Sequence, residues 1–394
     1  MNSIRHIHPF PARMASDIAL KELSKLPEDT IILDPMMGSG TVLKVAMDCG
    51  LRAIGRDVDP LAVLMARVWT TSIDTRSLCE YAVQLVQHTG SLQADDIVLP
   101  WIDDDLDTSL FIDFWFGEQQ KADLRKLSYL IQITQGPDKD ALCVALSRII
   151  ITKNNGASLA RDVSHSRPHR VMHENPFSVM DGFLSSVIQI AKRLEHDVPR
   201  HRADTCQEDA RHLTSIANAS IDRVITSPPY LNAIDYLRGH RLSLVWLGFR
   251  LNELRAIRLG SIGAERAPDT HVDTYLADEI IDQMALGDRL PQREIRMIKR
   301  YILDLSMLLS EVYRVLRPEG KAVFVVGNSC LRGIYVRNAQ AITLLAKRIG
   351  LQHFSEEERE LPPNRRYLPP PHVSELNDLK KRMRTETVLT FIRS

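Results

Sequence analysis

The chain has 394 residues, of which 50 are basic and 50 are acidic, so its net charge neither predicts nor excludes a polyanionic partner. This length is sufficient for one large domain with insertions or for two domains. The five cysteines are scattered without a CxxC pair, which argues against a disulfide framework and against a zinc ribbon.

Charge is distributed unevenly along the chain. Residues 95–113 are acidic, whereas residues 161–173, 238–266, 289–300 and 365–384 are basic. One basic face would suit a polyanion, although ordinary solvated faces would give the same pattern. No apolar run approaches the roughly 20 residues of a membrane helix, and residues 1–10 lack the apolar core of a secretory signal. We therefore expect a cytoplasmic protein with no membrane partner.

The first part of the chain has the pattern of a β-α-β unit. Residues 29–34 form an apolar strand that ends in Asp34, and a glycine-rich turn and a helix follow. A second strand over residues 52–57 ends in Asp57, and the next helix begins at Pro60. A strand, a glycine turn, a helix and a second strand with a terminal acid predict a parallel sheet.

The pattern changes after residue 72. Residues 73–199 have mostly helical periodicity and predict a helical insertion, while residues 251–291 are polar and irregular and predict a loop-rich insertion, a candidate for target recognition. We expect one α/β domain to be built from residues 1–72, 200–250 and 292–394. Within it, residues 386–392 are expected to form the last edge strand.

The glycine-rich turn, DPMMGSGT at residues 34–41, is the first candidate site. A phosphate-binding loop would need Gly-Lys-Ser/Thr, but Gly40 is followed by Thr41 and Val42, and the GxGxxG spacing is also absent. Acids end both flanking strands, which favours a nucleoside cofactor over a merely tight connection. Asp57 is placed to bind ribose hydroxyls. Its alternative role is a helix cap, which Asp59 fits better because it precedes Pro60.

The second candidate site is the TSPPY segment at residues 226–230. Pro228 and Pro229 lack amide hydrogens and cannot continue the strand before them. The chain must leave the sheet in a stiff turn that fixes the Ser227 hydroxyl and two carbonyls beside the Tyr230 ring. We call these four residues, 227–230, the cradle, because they suit a planar ligand with an amino group; a purely structural turn is the alternative.

Together, DPMMGSGT and TSPPY resemble the S-adenosylmethionine-dependent amino-methyltransferases of DNA. The resemblance implies a Rossmann-like class I methyltransferase fold, a mixed seven-stranded sheet with helices on both faces, in which residues 1–72, 200–250 and 292–394 are the catalytic domain. It implies that the base binds at Ser227, Pro228, Pro229 and Tyr230. It implies that the cofactor binds at His8, Pro9, Phe10, Asp34, Pro35, Met36, Gly38, Ser39, Gly40, Thr41, Asp57 and Asp209. Met36 departs from the family, which usually has an aromatic residue there.

The resemblance implies methyl transfer to the exocyclic amino nitrogen of a flipped-out base. Ser227 and the Pro228 carbonyl would accept hydrogen bonds from the amino group, and Tyr230 would stack on the base. The serine form is typical of the cytosine-N(4) branch, whereas aspartate or asparagine is more usual in adenine enzymes. Adenine-N(6) methylation of DNA, RNA base methylation and a non-catalytic nucleic-acid-binding role remain alternatives.

The partners follow from the same interpretation. DNA is the expected substrate, and Arg238, His240 and Arg241, on the predicted helix after the cradle, are expected to contact phosphates or else to face solvent. The resemblance leaves open whether a cognate restriction endonuclease accompanies the protein, and the oligomeric state is not predicted. No metal is expected, since the two early histidines lack an acid or cysteine at a ligand spacing.

Overall fold

The computed structural model describes residues 6–9, 14–152, 155–161, 168–195, 203–231, 235–264, 273–286, 290–361 and 385–394. Its strands are β1 (Ile31–Asp34), β2 (Arg52–Asp57), β3 (Ala160–Arg161), β4 (His169–Arg170), β5 (Asp204–Gln207), β6 (Ile221–Thr226), β7 (Leu316–Gly327), β8 (Ser329–Leu331), β9 (Ile334–Val336), β10 (Leu351–Glu360) and β11 (Thr385–Arg393). Its helices are α1 (Ser16–Leu23), α2 (Thr41–Asp48), α3 (Pro60–Trp69), α4 (Thr75–Thr89), α5 (Pro100–Asp103), α6 (Leu106–Trp115), α7 (Glu118–Ile133), α8 (Pro137–Ile150), α9 (Val179–Leu194), α10 (Tyr236–Leu244), α11 (Leu251–Gly260), α12 (Tyr275–Gln283), α13 (Gln292–Val315) and α14 (Asn338–Ile349).

Seven strands form one sheet in the order β10-β11-β7-β6-β1-β2-β5. β1 is parallel to β2 and β6, and parallel pairing continues from β2 to β5 and from β6 to β7. β11 runs antiparallel to both β7 and β10. The predicted Rossmann-like fold with a mixed seven-stranded sheet is therefore confirmed. Its strand order reverses between β1 and β6, and in open α/β sheets such a point opens a crevice at the carboxyl ends of the strands.

Successive residues of the central strands face different helical layers, as the period of two requires. Leu33 and Val224 pack in an apolar cluster with α13 and α14. Ile32 and Ile225 pack on the other side, with α1 and α2. β1 and β6 are therefore buried on both faces, which explains why they read as continuous apolar runs.

The helices α4 to α9 fill the segment that the sequence predicts as a helical insertion. Their apolar side chains share one cluster with Leu61, Met65 and Trp69 of α3 and with Leu242 of α10. α8 contacts α3, α9 and α10 directly. Within the described residues, no helix combines the length and apolar character of a membrane span.

One prediction about secondary structure is wrong. Residues 386–392 belong to β11, which lies between β7 and β10 and is not at the edge. The edge strand is β10, whose exposed and largely charged sequence hides it from pattern analysis. The segment over residues 251–291 contains α11 and α12, and residues 265–272 and 287–289 of it lie outside the described residues, so its loop-rich character stays a prediction.

Candidate active site

The glycine turn and the cradle meet at the carboxyl ends of β1 and β6. These strands pair in register, with Leu33 opposite Val224. Thr226 Oγ1 donates a hydrogen bond of 2.8 Å to Asp34 Oδ1, and both side chains are buried. This bond joins the last residue of one strand to the last residue of the other. The two motifs, 192 residues apart in the chain, therefore form one site.

Asp57 holds the glycine turn in place. Its Oδ2 accepts a hydrogen bond of 2.9 Å from the Gly38 amide, and its Oδ1 accepts one of 2.9 Å from the Asp59 amide. Asp59 in turn caps α3, since its Oδ1 accepts from the Leu61 amide at 2.9 Å. The prediction that Asp59, and not Asp57, caps this helix is confirmed.

Gly40 begins α2 in the left-handed region, with a φ of 85°. A Cβ added there would lie 3.0 Å from the Cα and Cβ of Ala66 on α3. Only glycine combines this φ with so close an approach. Pro35, Ser39 and Thr41 are buried around the turn, whereas Met36 and Gly38 are partly exposed.

Burial changes the acidity of the two strand-end carboxyls. It raises the pKa of Asp34 to about 7, against the hydrogen bonds from Thr226 and Met36, which lower it. It raises the pKa of Asp57 to about 7 as well, and the charge of Asp59 adds to this rise. Burial therefore favours the neutral form of both carboxyls.

The cradle is fixed by hydrogen bonds to two other elements. Ser227 Oγ donates to the Val325 carbonyl of β7 at 2.9 Å. Tyr301 of α13, a buried side chain, donates its hydroxyl to the Pro229 carbonyl at 3.1 Å. Since the serine proton is directed at Val325, the lone pairs of Ser227 Oγ are left to accept hydrogen bonds.

Gly327 at the end of β7 supports the Tyr230 ring. A Cβ on Gly327 would lie 2.5 Å from Cε2 and 2.9 Å from Cζ of that ring. Asn338, fully buried at the start of α14, donates to the Gly327 carbonyl at 2.9 Å and to Ser329 Oγ at 2.8 Å. Ser329 Oγ in turn donates to the Leu231 carbonyl at 2.6 Å. The chain on both sides of the ring is therefore anchored.

The sequence did not identify Gly327, Tyr301 or Asn338 as parts of this site. A glycine in a core strand often marks a place where another group packs closely against the backbone, so Gly327 could have been identified from the sequence as such a place. Tyr301 and Asn338 lie on amphipathic helices, where a polar group facing the core cannot be assigned a partner from sequence alone.

Asp209 follows β5 at the same edge of the sheet. The Glu208 amide donates to the Asp57 carbonyl at 3.1 Å, which brings this loop beside β2. Arg211 pairs with Asp209 at 2.6 Å and with the buried Asp304 at 2.6 Å. Asp209 thus lies near the glycine turn, and its role at a cofactor remains a prediction.

One predicted contact, that of His240 with a phosphate, is wrong. His240 is only 2% exposed and its Nδ1 lies 2.5 Å from Asp59 Oδ2, so it cannot reach a phosphate. His8 is also 2% exposed, and its Nε2 lies 3.0 Å from Ser147 Oγ on α8; its contact with a cofactor stays a prediction. Pro9 is exposed, and Phe10 lies outside the described residues.

Known proteins resemble the chain along most of its length. No family model matches it. It is 26% identical over 398 residues to the type II methyltransferase M.MvaI of Kocuria varians, covering 91% of this chain and 84% of that protein. It is 22% identical to the type II methyltransferase M.BsoBI of Geobacillus stearothermophilus, covering 89% and 78%. Both of these relatives are type II methyltransferases.

A solved structure of a SAM-dependent methyltransferase from Methanosarcina mazei aligns with 93% of this chain and 94% of its own, at 10% identity. Its TM-score is 0.33, too low to carry an argument about the site.

Proposed function

We propose that the protein is a site-specific DNA methyltransferase that uses S-adenosylmethionine and methylates the exocyclic amino nitrogen of a flipped-out base, with cytosine N4 preferred. The observation that most supports the proposal is the Thr226–Asp34 hydrogen bond, which joins the strand ends that carry the glycine turn and the cradle. The names of the curated relatives and the two sequence motifs support the same activity.

The residues at the glycine turn fit the cofactor. The left-handed Gly38 and Gly40 let the backbone approach a ligand closely. The Asp57 carboxylate lies beside them, where it would accept hydrogen bonds from ribose hydroxyls, and Asp209 lies on the neighbouring loop. When bound, S-adenosylmethionine supplies an electrophilic methyl group on a sulfonium.

The cradle would activate the amino group by accepting hydrogen bonds from it. An exocyclic amine is a weak nucleophile because its lone pair is delocalised into the ring. Ser227 Oγ is oriented as an acceptor by its bond to Val325. No hydrogen bond reaches the Pro228 carbonyl from the described residues, so a second acceptor is available. Acceptors fixed in advance favour the positive charge that develops on the nitrogen.

Tyr230 would hold the base by stacking. The ring packs closely against Gly327 of β7, where no Cβ could fit. A base within a duplex cannot enter this crevice, so it must first be extruded, at a cost of a few kcal/mol. The preference for cytosine rests on the serine at position 227, and adenine N6 is the alternative.

The test is modification-sensitive sequencing of DNA from a host that lacks base modification and expresses either the wild type or Ser227→Ala. We expect 4-methylcytosine at one short motif with the wild type and a large reduction with the variant. Wild-type-dependent 6-methyladenine would overturn the cytosine preference. Absence of any wild-type-dependent modified base would overturn DNA methylation. Calorimetry with S-adenosylmethionine should show equal binding by both proteins.

A further inference from the structure

Four arginines on two adjacent helices form a positively charged surface, the arginine patch: Arg238 and Arg241 of α10, and Arg255 and Arg258 of α11. Each pair is spaced three residues apart, so its members share one helix face. α10 contacts α11, which brings the two pairs together. Burial is the main cause that lowers the pKa of Arg241. The positive charges of Arg258, Arg238 and Arg255 lower it further, because like charges lie close together.

The arginine patch is only partly neutralised. Asp235 is shared between Arg238, at 3.3 Å, and Arg258, at 2.5 Å. Arg241 stacks over the Phe111 ring at 5.2 Å, and its buried Nε has no hydrogen-bond partner among the described residues. Two guanidinium groups therefore share the Asp235 carboxylate, and Arg241 adds a third positive charge, which leaves excess positive charge on this face.

α10 follows the cradle closely in the chain, and the segment after α11 packs against the cradle. Asp235, which caps α10, comes five residues after Tyr230. The chain after α11 brings Gly263 close to Tyr230, since a Cβ on Gly263 would lie 3.2 Å from the Tyr230 carbonyl oxygen. Arg211 also donates to the carbonyl of Gly260, the last residue of α11, at 2.6 Å. The arginine patch therefore stands beside the pocket that would receive the base.

We propose that the arginine patch binds the DNA phosphates that flank the extruded base, and that Asp235 is an internal counter-ion that these phosphates displace. The inference rests on the proposed function, because it takes the cradle as the base site. Guanidinium groups suit phosphate in both charge and geometry. Arg238 and Arg258 hold one carboxylate together, and a phosphate of the same charge can take its place.

The surroundings define one limit of this surface. Arg255 is paired with Asp107 of α6 at 2.6 Å. Further acids lie before and along α6, at Asp103, Asp104, Asp105 and Asp113. They would repel a polyanion, so we assign the main contacts to Arg238, Arg241 and Arg258 and only a minor one to Arg255.

The test is the salt dependence of DNA binding by the full-length protein with S-adenosylmethionine, measured by anisotropy on a fluorescein-labelled mixed-sequence duplex. The double variant R238Q/R258Q should reduce the slope of log affinity against log salt by about 1.8, because each phosphate contact contributes about 0.9. Arg348→Gln is the matched control, since Arg348 is 50% exposed and paired with Glu279 at 2.6 Å on another face. Its slope should equal that of the wild type.

Asp235→Asn tests whether Asp235 is the counter-ion, because it removes the negative charge that competes with phosphate. Asparagine caps a helix as well as aspartate does, so the fold should be kept while the competing charge is lost. DNA binding should become tighter in this variant. An unchanged slope in R238Q/R258Q, or weaker binding by Asp235→Asn, overturns the inference. Tighter binding to a duplex RNA of the same sequence, with the same change in slope, overturns its assignment to DNA.

Failure of the inference and failure of the proposed function can be told apart. If the wild type methylates DNA while R238Q/R258Q keeps the wild-type slope, the arginine patch is not the phosphate site and the proposed function stands. If the wild type methylates no DNA, the proposed function fails, and a reduced slope would then describe a DNA-binding surface alone. Thermal melting of each variant checks that the fold is intact.

Discussion

The end of β2 and the helical region of this protein use their polar residues in different ways. At the end of β2, the carboxylates of Asp57 and Asp59 accept hydrogen bonds from backbone amides of their own loop or of the adjacent glycine turn. In the helical region, His8 and His240 bond partners 139 and 181 residues away and are buried by them. Polar residues with local partners can be assigned a role from sequence, whereas those with distant partners are easily mistaken for surface contacts.

The largest expected effect concerns the cradle at the strand ends. Ser227→Ala removes the oriented acceptor, and the catalytic rate constant should fall by about 10²–10³, the effect of removing one preorganised hydrogen-bonding group. Affinity for S-adenosylmethionine should not change. The matched control is Ser310→Ala on α13, which removes a serine that also donates to a backbone carbonyl, that of Ser306, at 2.9 Å. An equal loss of rate in both variants would contradict a specific role for Ser227.

The glycine turn should be almost as sensitive. Gly40→Ala places a Cβ 3.0 Å from Ala66, so the turn must move. Cofactor affinity should fall by about 100-fold, as a displacement of about 1 Å can cause. Gly50→Ala is the control, because Gly50 has a similar φ of 79° but nothing within 4 Å of its added Cβ. It should lose about 1–2 kcal/mol of folding stability and keep its affinity, as calorimetry can show.

The close packing of Gly327 against the Tyr230 ring can be tested in the same way, with a matched glycine as the control. Gly327→Ala should push the ring aside and lower the rate of methyl transfer about tenfold to 100-fold, with cofactor affinity unchanged. In the double variant with Tyr230→Ala, the second substitution should add nothing to the loss from Tyr230→Ala alone. Additive losses would show that Gly327 acts elsewhere. Gly333→Ala, where nothing lies within 4 Å of the added Cβ, is the control.

The raised acidity of Asp57 predicts a pH dependence. Its pKa is about 7, so the carboxylate that we propose accepts hydrogen bonds from ribose hydroxyls forms as pH rises through 7. Cofactor affinity should therefore rise by up to about tenfold per unit below pH 7 and then level off. In Asp57→Asn, cofactor affinity should change less steeply with pH, and the change that remains should be due to Asp34. A flat profile for the wild type, measured by calorimetry, would contradict this assignment.

Folding stability should change in the opposite direction with pH. The unfolded chain ionises Asp57 at its ordinary pKa of 3.8, well below its pKa in the folded state. The neutral form therefore contributes its full stability below pH 3.8, and this contribution is lost as pH rises toward 7.

The smallest effect on DNA binding is expected at His240. His240→Gln leaves Asp59 with a poorer partner and should cost about 1–3 kcal/mol of folding stability. The salt slope of DNA binding should not change, in contrast to R238Q/R258Q on the same helix. A reduced slope would restore His240 as a phosphate contact. His353→Gln, at an exposed histidine of β10, controls for loss of the ring itself and should leave stability nearly unchanged.

The sequence predicted the parallel part of the sheet and both turns because their signals are local. Asp34, Gly40 and the two prolines each constrain the backbone where they stand. The supports of the cradle could not be predicted, since Val325 and Tyr301 reach it from 98 and 72 residues away. β10 was missed because an exposed edge strand bears charges that hide its alternation.

The most direct test of the central claim, that one crevice unites a methyl donor and an amino acceptor, is a labelled transfer experiment. Purified protein is incubated with unmodified DNA and S-adenosylmethionine carrying a deuterated methyl group, and the nucleosides are analysed by mass spectrometry. We predict labelled N4-methyldeoxycytidine with the wild type and far less with Ser227→Ala. A label on carbon 5 of cytosine, or no labelled nucleoside at all, would contradict the account.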